Sequence, residues 1–206
     1  MHIAEGVLPG PVLITGAALS AAGVAVGIRR LDYDDLPRAG LLTAAFYVVS
    51  LIHLEFYGVS IHLVLNGLLG LLLGWVAFPA ILLGLLLQSV FFQEGGLTAL
   101  GVNTFVMAAP AVVAGFVFRP LIRSGRRAML LWGGFACAFL VVLASGVLAG
   151  LAVMSVGEPL HKIGYAVMVY HLPLAVLEGV ITAFCLSFLH KVRPEVLAGP
   201  VSEASP

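Results

Sequence analysis

The chain opens Met1-His2-Ile3-Ala4-Glu5, and an amino terminus followed directly by histidine is a ready chelator. The Met1 amine and the His2 amide nitrogen close a five-membered ring with a metal, and the amide nitrogen and His2 Nδ1 close a six-membered one. These three nitrogens share a plane, so one further donor completes a square. Square-planar nitrogen sets favour Ni(II) or Cu(II), while imidazole also suits zinc and iron. The amide must also lose its proton, which favours Ni(II) or Cu(II) further. His62 is the best-placed fourth donor. The chelate requires that Met1 be retained. Residues Met1 to Gly6 contain no lysine or arginine and carry Glu5, unlike a secretory leader with its positive n-region, and histidine at the second position should protect the methionine. The competing account is a solvated His2, with hydrogen-bonded or packing roles for the other histidines.

The elements that must position these residues follow from composition. Of 206 residues, 61% are hydrophobic and 10% charged, with a mean hydropathy of +1.13. A soluble domain is about 45–50% apolar and about 25% charged, so this chain has too little charge to cover a water-facing surface. Ten basic and ten acidic residues balance, and there are two cysteines, which leaves no case for disorder, nucleic-acid binding or a disulfide scaffold. The chain is an integral membrane protein.

A spanning helix needs about 20 mainly apolar residues. Seven stretches qualify as candidates, at 7–28, 39–57, 61–78, 79–92, 103–118, 128–153 and 165–189. The third and fourth are divided only at Phe78-Pro79, where proline interrupts a helix. Seven spans with the N-terminus outside put Arg29, Arg30, Arg38, Arg119, Arg123, Arg126, Arg127, Lys191 and Arg193 on the cytoplasmic side and leave only Lys162 outside. The positive-inside rule is thereby obeyed nine to one. The expected fold is an all-α polytopic bundle of seven transmembrane helices, with the N-terminus outside and the C-terminus cytoplasmic. Residues 1–193 form a single transmembrane domain and 194–206 a flexible tail.

Ionisable residues in membrane chains that do not mark topology are functional candidates. Here they gather at the outer end: His2 and Glu5, then His53, Glu55 and His62, then Gln93, Glu94 and Asn103, then Glu158, His161 and Lys162, with His171 and Glu178 inside the last span. His190 alone among the histidines falls on the cytoplasmic side. Asn103 and Glu178 are candidates to orient ligating imidazoles, whose second nitrogen usually finds an acceptor. Glu178 follows His171 by seven residues, so the two share a helix face, while His171 with Pro173 equally suits a structural kink. Cys137 and Cys185 have no CxxC partner and read as packing residues. Small residues spaced by four, Ala17/Ala21/Ala25, Gly40/Ala44 and Gly70/Gly74, suit close helix approach in lipid.

Three segments, in order, carry a resemblance to a known family: Met1-His2-Ile3-Ala4-Glu5-Gly6-Val7-Leu8, Ser60-Ile61-His62-Leu63 with Asn66-Gly67, and Gln93-Glu94-Gly95-Gly96-Leu97-Thr98-Ala99-Leu100-Gly101-Val102-Asn103. With His171-Leu172-Pro173 and Glu178-Gly179-Val180-Ile181-Thr182, they resemble the CbiM/NikM family, the substrate-binding membrane subunits of energy-coupling-factor transporters for cobalt and nickel. The resemblance covers roughly residues 1–185. It implies a seven-helix bundle with residues 1–6 inserted at its centre. Ni2+ or Co2+ is then held as transported substrate by the Met1 amine, the His2 amide and ring nitrogens, and His62, with Gly95-Gly96 in a loop covering the metal. It also implies a coupling transmembrane subunit, cytoplasmic ATPase subunits, a small accessory membrane subunit, and a multi-pass place in a bacterial or archaeal plasma membrane. The stretch His53-Leu54-Glu55-Phe56-Tyr57-Gly58-Val59 departs from the Gly/Pro/Ser-rich loop frequent in the family and offers His53 as a transient ligand.

The sequence has no GxxxxGK[ST] loop, so ATP hydrolysis must come from partners. The arginine-rich segments at 29–38 and 119–127 are candidate docking or lipid-facing surfaces. An intramembrane metal-dependent hydrolase using the outer histidines and Glu178 is the alternative, but it lacks an HExxH or GxSxG motif. A channel would spread polar residues through the full membrane depth, not crowd them at one end.

Overall fold

The computed structural model describes residues 2–56 and 59–197, with the backbone alone over 53–56 and 59–61. Seven α-helices occur among the described residues: α1 (Gly10–Arg29), α2 (Leu36–Ser50), α3 (Asn66–Leu73), α4 (Ala77–Phe92), α5 (Leu100–Arg123), α6 (Arg127–Met154) and α7 (His161–Val192). Five helical stretches are long and apolar enough to cross a membrane: α1, Asn66–Phe92 taken as one, α5, α6 and the run ending α7. The α2 helix has only 15 residues.

The structure redraws the middle of the chain. The expected second and third spans do not run to 57 and from 61. Between them lies an antiparallel hairpin, β1 (His53–Phe56) with β2 (Val59–His62), in which His53 pairs with His62 and Phe56 with Val59. Its β-branched and aromatic residues favour strand over helix, a preference that hydropathy alone does not register. The expected break at Phe78-Pro79 is also displaced. Chain direction changes at Gly74, with φ 57°, a left-handed value that glycine adopts without penalty. A 3-10 turn over Gly74–Val76 follows. Pro79 then falls in the first turn of α4, where a missing N–H leaves no bond unmade.

In their most apolar 18-residue stretches, Asn66–Phe92 has 78% of its residues buried against 22% for α1, so α3 and α4 form the interior and the others wrap it. Lipid tails are as apolar as leucine, so helices associate there through close packing, and small residues permit it. A Cβ on Gly70 would overlap the Ala111 carbonyl, and one on Gly115 the Gly70 carbonyl, so α3 and α5 touch backbone to backbone. On α1 the packing stripe lies beside the expected alanines: Gly16, Ser20, Gly23 and Gly27 are buried, whereas Ala21 and Ala25 are exposed. Ser20 donates its hydroxyl to the Gly101 carbonyl of α5 at 2.6 Å. The α3 carbonyls at the end remote from His62 are met by arginines. Arg38 donates to the Leu72 carbonyl at 2.9 Å and Arg119 to the Leu71 carbonyl at 2.9 Å. Arg38 also donates to the Val196 carbonyl at 2.8 Å. The first residues assigned by sequence to the tail, Pro194–Leu197, form a 3-10 turn with Leu197 buried.

Candidate metal centre

Met1 lies outside the described residues, so the site is built here from His2 onward. Two short devices fix the N-terminal segment. Ile3 donates its backbone N–H to Asn103 Oδ1 at 3.0 Å, and Asn103 Nδ2 donates to the Ile3 carbonyl at 3.1 Å. A single amide side chain in the first turn of α5 thus grips both polar groups of one peptide residue, as a strand neighbour would. Ile3 is itself buried, which anchors the segment by packing as well. The second device is the turn after α4. Gly95 (φ 76°) and Gly96 (φ 79°) are both left-handed, and they press on the segment from above. A Cβ on Gly95 would sit 3.1 Å from His2 Cβ, and one on Gly96 would sit 2.5 Å from Glu5 Cβ. Two glycines are required here for conformation and for space. Glu5 is exposed and lies under Gly96, one turn residue away from the His2 contact.

This grip delivers the His2 ring to His62. The imidazole centroids are 4.6 Å apart with the planes inclined by 19°, although 59 residues separate the two in sequence. Donors about 2.0 Å from a metal lie roughly 3–4 Å from one another, so rings this close are within reach of one ion. His62 is 2% exposed and its Nδ1 lies 3.1 Å from the Leu63 carbonyl. In the tautomer that donates to that carbonyl, Nε2 carries the lone pair, and a bond at one ring nitrogen thus decides which nitrogen can ligate. On the other ring, His2 Nδ1 faces the Glu94 carboxylate at 3.8 Å. Sequence reasoning noted Glu94 among the outer polar residues without giving it a place in the site. The available signal was its position directly before a Gly-Gly turn.

The loop bearing His62 is held from α7. Glu178, fully buried, accepts the backbone N–H of Val64, and that of Leu65 at 3.0 and 3.1 Å on its two oxygens. Leu65 has a φ of 53°, a strained value for a leucine, and the paired carboxylate bonds hold it there. Asn103 and Glu178, expected to accept from the second imidazole nitrogens, bond instead to the backbone next to His2 and close to His62. Just below, Asn66 Nδ2 donates to Ser145 Oγ at 3.2 Å, tying α3 to α6; sequence reasoning missed this link. His171 is buried against Gly146 of α6, with Nδ1 donating to the Val167 carbonyl one turn back at 2.6 Å. His53 pairs its backbone with His62, and its side chain lies outside the described residues.

Among the described residues no three His, Cys, Asp or Glu side chains gather as a metal cluster. Replacing Asn103 by alanine should release the segment while leaving both imidazoles in the sequence. A loss of about 10–100-fold in nickel affinity by calorimetry is expected, the scale of supporting residues around metal ligands, together with faster hydrogen exchange at the Ile3 amide. Unchanged affinity would remove Asn103 from the site.

Comparison with known proteins bears on this geometry. Residues 2–196 match the family model described as CbiM, cobalt uptake substrate-specific transmembrane region. A Haemophilus influenzae protein assigned to metal transport is 41% identical, the match covering 96% of this chain and 97% of that one. The fused nickel transport protein NikMN of Rhodobacter capsulatus is 33% identical over all of this chain and 66% of its own length. A crystal structure of a transition metal transporter superposes with a TM-score of 0.73 at 24% identity, covering 93% of each chain; at that identity the likeness speaks for the fold.

Proposed function

The chain belongs to the CbiM family, and from that premise we propose that it captures Ni2+ or Co2+ and passes it across the membrane as the substrate-binding subunit of an energy-coupling-factor transporter. It is a multi-pass membrane protein and not an enzyme; its named relatives are metal transport proteins, which disfavours the hydrolase alternative. The observation that carries the reading is the stacked pair His2–His62 at 4.6 Å, two imidazoles brought together by an N-terminal segment that Asn103 and the buried Ile3 anchor.

In this proposal four nitrogens hold the metal: the Met1 amine, the His2 amide and Nδ1, and a ring nitrogen of His62. A planar nitrogen set leans toward nickel. Glu94, 3.8 Å from His2 Nδ1, puts negative charge beside the arriving cation. The turn at Gly95-Gly96 covers the site, and the hairpin bearing His53 lies on the approach to His62. Seven transmembrane helices within residues 1–193, N-terminus outside and C-terminus cytoplasmic, satisfy the positive-inside rule. The membrane is a bacterial or archaeal plasma membrane. Energy comes from cytoplasmic ATPase subunits through a coupling transmembrane subunit, with a small accessory membrane subunit in the assembly.

The test is an N-terminal change that leaves the fold alone. One additional residue before Met1, or acetylation of its amine, removes the terminal nitrogen. Nickel binding by calorimetry should collapse in either form while thermal stability without metal stays put. Retained affinity sinks the four-nitrogen chelate.

A further inference from the structure

At the bundle end remote from His2 and His62, Arg29 and Arg30 of the α1 terminus meet Arg38 and Arg119 around a cavity of about 360 Å³. That volume falls within the roughly 300–1,000 Å³ of small-molecule sites. Asp32 and Asp35 also line it, so Arg29, Arg30 and Arg38 alone outnumber the carboxylates by one charge. Arg38 Nε is buried with no hydrogen-bond acceptor among the described residues. A buried cationic donor left in that state is costly, and an anion in the cavity would lower that cost through its charge.

The wall of this cavity is aromatic. Arg30 lies over the Trp75 ring at 5.8 Å and Arg119 over the Phe116 ring at 5.7 Å. The same two rings close one end of an apolar groove of about 300 Å³ between α1 and α5, floored by Phe78 and Phe105. A second apolar groove of about 330 Å³ continues it, sharing Leu19 and Phe105. Together their α1 positions run from Pro11 to Val26, about 22 Å at 1.5 Å per residue. One leaflet of a bilayer core is about 15 Å deep, half of the whole. A cationic cavity at the membrane boundary thus opens onto an apolar channel at least one acyl chain long.

We propose that these joined cavities bind one anionic phospholipid, its phosphate among Arg29, Arg30 and Arg38 and an acyl chain laid in the α1–α5 seam. The two aspartates accept hydroxyl groups of the headgroup, which suits a polyol such as glycerol. Charge complementarity selects this occupant: an uncharged apolar helix from another chain fills the groove but does not offset the net positive charge of the cavity.

The test uses the full chain in detergent, offered phosphatidylglycerol or phosphatidylethanolamine of identical acyl chains and read by native mass spectrometry. One phosphatidylglycerol per chain should be retained in preference to the zwitterionic lipid. Arg29→Gln with Arg30→Gln, both at exposed positions, should cut that preference about 25-fold, at roughly fivefold per arginine near an anionic lipid. Ala22→Trp, filling the groove from an exposed position, should lower retention of both lipids. Neither change touches the metal site, so nickel affinity should stand, which separates failure here from failure of the transport reading. Equal retention of the two lipids overturns the proposal. So does binding of soluble glycerol phosphate as tight as that of the lipid, which would make the cavity a free-phosphate site, and so does displacement of the lipid by an acidic peptide, which would make it a protein-docking site.

Discussion

Alanine in place of His62 should lower nickel affinity by more than about 100-fold, beyond what supporting residues around a ligand contribute. The reason is geometric. His62 is 2% exposed, its ring is set by the Leu63 carbonyl, and it faces the only other imidazole with which it stacks among the described residues, His2. Truncation removes a donor and opens space that water enters. Calorimetry on the purified chain checks it, with His190→Ala as the control. His190 lies in the last turn of α7, at the bundle end remote from His62, and its removal should leave affinity untouched. Equal losses in the two variants would show that histidine content, not this pair, governs binding.

Glu178→Ala should be the most destabilising single change in the centre. It leaves the N–H groups of Val64 and Leu65 buried without their acceptor, at about 1–3 kcal/mol for each unsatisfied group. The left-handed turn at Leu65 then loses the bonds that hold it. A fall of about 2–6 kcal/mol in unfolding free energy is expected, read by denaturant titration in mixed micelles. Glu178→Gln keeps one acceptor oxygen and should recover part of that stability. Metal affinity should fall in both variants, since His62 is two residues from Val64. An alanine variant as stable as the parent would mean that the His62 loop holds itself.

The residues of the candidate site are the easiest to read. In a chain with so little charge, His2, His62, Asn103 and Glu178 stand out by type alone. Their partners were harder, because three of the four act through backbone. Nothing in a sequence says that Asn103 holds Ile3, or that Glu178 holds Val64 and Leu65, since those partners are apolar residues known only by their peptide groups. Helix existence followed from hydropathy, but the hairpin at 53–62 did not. Its residues are apolar enough to pass for the end of one span and the start of another, and their β-branched pattern was outweighed by length. The break between α3 and α4 went to Pro79 because proline is the louder signal, whereas Gly74 needed a φ value to be recognised. On α1 the alanines drew attention at a four-residue spacing, yet the buried stripe of Gly16, Ser20, Gly23 and Gly27 lies beside them on the same small-residue-rich helix.

The short helix α3 has one further consequence. Its peptide dipoles add to roughly half a positive charge at the N-terminal end and half a negative charge at the other. The positive pole starts at Asn66, four residues from His62, where a divalent cation would meet repulsion. Glu178 sits on that pole through the Val64 and Leu65 amides, and Arg38 and Arg119 sit on the opposite one. The helix is thereby electrically terminated at both ends, and a cation arriving beside His62 meets a neutralised pole, not a bare one.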